Sequence, residues 1–259
     1  MKWKSVFKGL KSLLALLTTI PTGNSSIEYA AQYFYLIPVI GLVEGAIVSF
    51  LIWSLYVLGI HNAIISILYI FFHLMVTGGI HFDGYADYSD VIGSHRTGEY
   101  AIKILKDPRR GTFSIISITL NLLISSASMY IMLESGSSVY ASLLRLVVIY
   151  VASAEAMYIT AFFGIEEPYN GLGRRFVISA KISANFIKNI ITLLAIYLSI
   201  LVFTHIEVFM LISAILITLL VAVTIVSDAK KRLGFINGDI IGFSYETTRV
   251  VCMVIATCV

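Results

Sequence analysis

VYASLLRLVVIYVASAEAMYITAFF, residues 139–163, is the stretch that decides the fold. It is apolar on every face, and as a helix it is long enough to cross a ~30 Å hydrocarbon core. Its two charged residues, Arg145 and Glu155, are expensive in lipid and must therefore point into a protein interior. Similar runs recur along a chain that is 58% hydrophobic and 13% charged, with a mean hydropathy of +0.92. Soluble domains run near ~45–50% apolar and ~25% charged, so an ordinary soluble domain is excluded. The expected fold is all-α, a polytopic integral membrane helical bundle forming one domain over 1–259. Seven spans are predicted, at 33–59, 62–79, 113–133, 139–163, 186–204, 206–227 and 240–258, with tight connections at Gly59–His61, Glu134–Ser138 and His205.

Charge placement supports an odd number of spans. Lys2, Lys4, Lys8 and Lys11 precede the first span, and Arg96, Lys103, Lys106, Arg109 and Arg110 fill the 80–112 segment. Arg174, Arg175, Lys181 and Lys188 occupy the next long segment, and Lys230, Lys231 and Arg232 the last, whereas the short turns carry no Lys or Arg. Seven spans put every basic segment on one side, which the positive-inside rule makes cytoplasmic. Residues 5–20 resemble a signal peptide but end at Ile20-Pro21-Thr-Gly23 without a small-residue cleavage site. An N-terminal interfacial helix is the expected reading. Cys252 and Cys258 have no metal-ligand spacing and read as packing residues.

The chemistry concentrates in Gly79-Ile-His-Phe-Asp83-Gly-Tyr-Ala-Asp87-Tyr-Ser-Asp90. Asp83, Asp87 and Asp90 fall within ~60° of one another on a 3.6-residue helix. Their mutual repulsion at a membrane boundary calls for a cation, and an all-oxygen set suits a hard divalent ion such as Mg²⁺. The residues between them are mostly apolar, unlike a solvated charged helix. Gly78-Gly79 marks a helix break or a close backbone approach. Downstream, Lys106-Asp107-Pro108-Arg109-Arg110-Gly111 offers guanidinium forks for phosphate oxygens, although a basic stretch on the cytoplasmic side of a membrane is also what topology and anionic lipid demand. The last polar segment ends in Asn237-Gly238-Asp239, a turn signal followed by a helix cap. Glu44, Arg145, Glu155, Glu246 and Arg249 lie inside spans. Of these, Glu246 and Arg249 are spaced to pair, while Glu155 and Glu246 are placed to line a polar cavity open to the acidic cluster. His61, His73 and His205 read as interface or packing residues, and His81 as near enough to contact an anionic ligand. No Walker, HExxH or nucleophile-elbow pattern occurs, and nucleic-acid binding has no support.

These blocks resemble the cobalamin (5′-phosphate) synthase family, the adenosylcobinamide-GDP ribazoletransferases. Gly78-Gly-Ile-His-Phe-Asp-Gly-Tyr-Ala-Asp-Tyr-Ser-Asp90 fits the family's central block throughout, and Lys106–Gly111 its Arg-Asp-x-Arg-x-Gly block with Lys for the first Arg. Gly234-Phe-Ile-Asn-Gly-Asp-Ile-Ile-Gly242, with Glu246 following, is similar to its Gly-x-x-x-Gly-Asp-x-x-Gly signature, and Leu16-Leu-Thr-Thr-Ile-Pro21 more weakly to its N-terminal one. Glu166–Gly173 departs from the family where a basic residue is often found.

The resemblance implies a cell-membrane, multi-pass enzyme with a cytoplasmic active site. It would join adenosylcobinamide-GDP to α-ribazole or its 5′-phosphate, release GMP and require Mg²⁺. It implies Asp83, Asp87 and Asp90 as metal ligands, and His81, Gly84, Arg109, Arg110, Asn237 and Glu246 as substrate-binding residues. Asp107 or Asp239 would be the general base. Membrane lipid is an expected partner, and a homo-oligomer is left open. Two alternatives stand beside it. A CDP-alcohol phosphotransferase has an Arg where Asp87 stands here, and a cation transporter places its charges near the midplane, on broken helices.

Overall fold

The computed structural model describes residues 2–23, 25–135, 138–204 and 208–258; the expected connection at His205 lies outside them. The chain is helical, in the order α1 (Lys2–Leu17), α2 (Ile27–Gln32), a 3-10 turn (Phe34–Leu36), α3 (Ile37–Val57), α4 (Asn62–Thr77), α5 (Ile80–Gly93) and α6 (Glu99–Leu105). There follow α7 (Thr112–Glu134), α8 (Val139–Phe163), α9 (Leu172–Ala180), α10 (Ser183–Phe203), α11 (Val208–Arg232) and α12 (Gly238–Ala256). Among the described residues the one extended pairing is an isolated bridge between Glu166 and Ile236.

Among the described residues five helices are long and apolar enough to cross a membrane: α3 with the turn before it, α7, α8, α10 and α11. A sixth is counted if α4 and α5, bent by 101° at a short break, form one broken span. By length and composition, then, five or six spans are found, and the expected seven is not confirmed. α4 has only 16 residues, or ~24 Å of helix. α12 carries Asp239, Glu246 and Arg249, and it is held inside the bundle instead of standing on its own hydropathy.

α8 is the axis, with 83% of its apolar window buried, against 11% for α10. It packs against α3, α11 and α12. Gly41 and Gly45, one turn apart on α3, let that helix close on α8, because a Cβ on Gly45 would stand 2.9 Å from the Cα of Val147. Close small-residue contacts of this kind replace the hydrophobic drive that lipid does not supply. The outward residues of α7, α10 and α11, such as Leu123, Leu198 and Leu220, are large, apolar and exposed, as lipid-facing positions should be.

The two ends of the bundle differ. At one end Asn62 donates to Glu134 at 2.8 Å and Ser142 to the Met132 carbonyl at 2.6 Å, joining short connections. At the other end every basic segment meets. The Thr19 amide donates to the Val76 carbonyl at 2.9 Å and the Gly98 amide to the Arg232 carbonyl at 2.7 Å. Lys106 sits 3.9 Å above the Tyr169 ring, and Arg175 pairs with Glu28. The predicted segregation of charge is thus a property of the fold. α1 turns Leu13 and Leu17 inward and leaves Lys4 and Lys8 exposed. Its 16 residues are too short to span ~30 Å. Cys252 is buried as expected, while Cys258 is exposed at the chain end.

Candidate active site

Gly78 and Gly79 both take positive φ, +65° and +68°, the left-handed region that glycine enters without a Cβ clash. Two such residues in succession end α4 and restart the chain as α5 across its line. α5 then lies at the basic end of the bundle with Phe82, Ala86, Tyr88 and Val91 buried. Its Asp83 carboxylate is 64% exposed and its Asp87 carboxylate 17%. α12 and α11 fix its position: Tyr85 stacks on Phe243 of α12 at 4.9 Å, and Tyr88 donates to Asp228 of α11 at 2.8 Å. At the crossing, a Cβ on Gly84 would stand 2.6 Å from the Cα of Asp239. Gly84, expected to bind substrate, is buried in that contact and lets the two helices pack.

Beside the crossing opens a cavity of about 310 Å³. Asp83, His81, Glu167, Asn237 and Asp239 give it a polar side; Leu17, Phe34, Met157, Phe176 and Ile241 give it an apolar one. The N-termini of α9 and α12 come together here, with Gly173 so close that a Cβ on it would meet the Asn237 Cα at 2.8 Å. Glu167 caps α9 by accepting from the Arg174 amide at 3.1 Å. Asn237 caps α12 by accepting from the Ile240 amide at 3.2 Å, and its own amide donates to Asp239 Oδ2 at 2.7 Å. Asp239 lies at the basic end, outside the spans. Burial raises its carboxyl above the ordinary value, as does the neighbouring Asp83, against the opposing effect of Asn237. Glu167 is raised as well, chiefly by burial and further by Asp239. Sequence reading missed Glu167; the only signal was its position in the loop that departs from the family pattern.

The three aspartates of α5 share a face, as their spacing predicts, but not a partner. Arg110 forms ion pairs with both Asp83 and Asp87. Asp90 instead accepts from the Gly111 amide at 2.7 Å and the Ser114 amide at 2.9 Å, capping α7 from outside that helix. Through these bonds Asp90, expected as a metal ligand, holds the loop that carries Arg110. Among the described residues no three His, Cys, Asp or Glu side chains converge closely enough to hold a metal ion.

Asp107 accepts from Arg109 Nε at 3.0 Å and Nη2 at 2.9 Å. Those bonds hold its carboxyl down at about 2. The pair sits at a separate shallow pocket with Asp90, and the Arg109 side chain is 87% exposed. In this structure Asp107 is engaged by Arg109, and Arg110 is the arginine that stands beside the acidic face.

A family comparison fits this arrangement: residues 9–257 match the model of the cobalamin-5-phosphate synthase family. The chain belongs to that family. A relative from Clostridium botulinum (strain Alaska E43 / Type E3), named adenosylcobinamide-GDP ribazoletransferase, is 30% identical over 251 residues, covering 96% of each chain. One of the same name from Clostridium perfringens (strain 13 / Type A) is 30% identical over 246 residues and 93% of each chain. No solved structure matches the chain.

Two acids expected inside spans lie away from the cavity in this family member. Glu246 is fully buried and lines no part of the cavity; it bonds to His73 Nε2 at 3.0 Å and to Arg249 Nε at 2.9 Å. Arg249 in turn donates to Tyr69, Ser125 and Asn121. Glu246 and Arg249 thus pair as their spacing suggests, within an internal polar network. Glu155 likewise is buried and accepts from Asn189 at 3.0 Å. His81 does reach the cavity wall, but it is only 3% exposed and its ring stacks on Tyr245 at 4.2 Å.

Proposed function

We propose that the protein transfers the adenosylcobinamide phosphate of adenosylcobinamide-GDP to α-ribazole or its 5′-phosphate, releasing GMP, in a Mg²⁺-dependent reaction on the cytoplasmic face of the cell membrane. One observation carries the chemistry. Asp83, which lines the cavity beside Asp239, and Asp87 hold a cation between them, the Arg110 guanidinium. The basic segments gathered at that end argue for the cytoplasmic side, and the relatives' names supply the substrates.

The donors fit the metal. Mg²⁺ is commonly bound by one or two carboxylates with substrate phosphates and water completing the shell, and needs no all-protein cage. Asp83 and Asp87 are such a pair, with Arg110 as the present stand-in charge. When bound there, Mg²⁺ supplies neutralisation of the pyrophosphate. The protein's groups do the rest. Arg110 is freed to form a fork on the pyrophosphate oxygens. Asp239, oriented by Asn237, accepts the proton of the attacking ribose hydroxyl. A phosphorus–oxygen bond forms to the ribose, the bond to the bridging oxygen breaks, and GMP departs with that oxygen. Positioning and charge stabilisation are the main contributions expected in phosphoryl transfer.

The test is GMP release from purified protein in liposomes given adenosylcobinamide-GDP, α-ribazole and Mg²⁺, with Asp87→Ala as control. Release that requires acceptor, metal and Asp87 is the expected result. No release from well-folded protein, with CMP released from a CDP-alcohol instead, would overturn the assignment.

A further inference from the structure

We infer that Lys106, held on the ring of Tyr169, is a phosphate-binding residue of the transfer reaction, a further cation beside Arg110. The inference rests on the ribazoletransferase reading and adds to it a residue outside the acidic face and the cavity.

The cations at the basic end differ in what holds them. Arg109, Arg110, Arg174, Arg175 and Arg232 are each bound to a carboxylate. Among the described residues no carboxylate forms an ion pair or hydrogen bond with Lys106. Its ammonium stands instead 3.9 Å from the centre of the Tyr169 ring, the shortest cation–ring contact among those residues. A ring face attracts an ammonium through its quadrupole and brings no net charge. Lys106 is therefore oriented without being neutralised. An ammonium has three donors, so with one side on the ring it keeps donors for an incoming acceptor. A compact, fully charged group of this kind suits phosphate oxygens.

Tyr169 is itself tied to the site. Its ring meets that of the buried Phe235 edge-on, at 6.1 Å and 90°. The next residue, Ile236, donates its amide to the Ile165 carbonyl at 2.7 Å. Asn237 and Asp239 follow in the same segment, and Glu167, shortly before Tyr169 in the chain, lines the cavity. Burial raises the Glu167 carboxyl and the Lys106 charge opposes that rise, so the field of Lys106 extends to the cavity wall. Arg110 follows Lys106 in the loop pinned to Asp90. A phosphate drawn toward these acids thus meets Arg110, which must leave its carboxylates, and Lys106, which has none to leave. That phosphate has two sources: the pyrophosphate of the donor, or the 5′-phosphate of a phosphorylated acceptor.

The experiment has two arms, both on the protein in liposomes with Mg²⁺. In the first, KM is measured for adenosylcobinamide-GDP, α-ribazole and α-ribazole 5′-phosphate in the wild type, Lys106→Met, Lys106→Arg and Lys103→Met. Lys103 lies over Tyr100 on α6 and serves as the matched surface lysine. Lys106→Met should raise the KM of a phosphate-bearing substrate about tenfold, as loss of a charged hydrogen-bond partner does, with Lys106→Arg within about threefold of wild type and Lys103→Met unchanged. A raised donor KM assigns Lys106 to the pyrophosphate. A raised KM for α-ribazole 5′-phosphate, with that for α-ribazole unmoved, assigns it to the acceptor. KM values that all stay in place, or that rise equally for both acceptors with the donor unmoved, would overturn the proposal. In the second arm, reductive methylation of the wild type is read by mass spectrometry with inorganic pyrophosphate or α-ribazole 5′-phosphate present. Lys106 modification should be lost at saturating anion while Lys103 modification continues; equal modification with and without the anions would overturn the site. This arm needs no turnover. Protection of Lys106 in a wild type that releases no GMP would uphold the phosphate site and count against the transferase reading alone.

Discussion

Gly84 of α5 and Asp239 of α12 are in backbone contact: a Cβ on Gly84 would lie 2.6 Å from both the Cα and the carbonyl oxygen of Asp239. The acidic helix and the raised carboxyl of the site are thus held in register by the absence of a side chain. Gly84→Ala must push the helices apart, and a misplacement of about 1 Å costs on the order of 10²-fold in rate. GMP release should fall by that order while the protein still inserts and remains monodisperse in detergent. Undiminished turnover would show that this spacing does not set the chemistry.

Asp87 is the less exposed member of the carboxylate pair on Arg110. Asp87→Asn keeps the shape of the side chain and removes a hard anionic donor. Turnover at saturating substrate should drop by about 10²-fold or more, partly recovered as Mg²⁺ is raised. A Mg²⁺ titration of GMP release checks this; an unshifted metal dependence would count against Asp87 as a ligand.

Adjacent arginines should behave differently. Arg109 is spent on Asp107 at the surface, and exposed pairs of this kind contribute little. Arg109→Ala is expected to leave kcat/KM within about threefold, whereas Arg110→Ala should lower it by about 10²-fold, as loss of a charge-stabilising donor does. Equal effects would contradict the division of roles.

Asp239 should set the acid limb of the pH profile of kcat/KM, because only its ionised form can take the proton. Burial and then Asp83 raise its carboxyl, so the limb should lie above the ordinary aspartate range. Asn237 donates to the charged form and opposes that rise. Asn237→Ala therefore should move the limb to higher pH. A limb that stays in place would assign the proton to another group.

Glu246 tests the boundary between site and scaffold. Its removal leaves Arg249, 1% exposed, without its counter-charge, and breaking one side of a buried pair costs about 3–5 kcal/mol. Glu246→Ala should be recovered in low yield with a lowered unfolding temperature. A stable protein with a selectively raised substrate KM would return Glu246 to the binding site.

Much of this molecule was legible before folding, because the relevant signals are local. Hydropathy over a span, basic residues between spans, and three aspartates on one helical face are one-dimensional patterns, and the structure has apolar helices, basic segments at one end and the shared acidic face, though the count of seven spans is not confirmed. Gly78-Gly79 also announced its break, since few sequences other than Gly-Gly tolerate two successive left-handed residues.

Tertiary structure decided the partners. Asp90 matches Asp83 and Asp87 in spacing, yet the α7 N-terminus claims it, and no feature near Asp90 in sequence says so. Which of Arg109 and Arg110 faces the acids depends on how the loop is pinned. Glu167 joins Asp239 only because the ends of α9 and α12 meet across more than sixty residues of chain. Periodicity and composition are properties of neighbours along the chain, so the sequence by itself determined a helical membrane bundle with an acidic helix at its basic end. Hydrogen bonds, ion pairs and burial belong to neighbours in space, so only the packed bundle determined which carboxylates face the cavity and which hold the scaffold together.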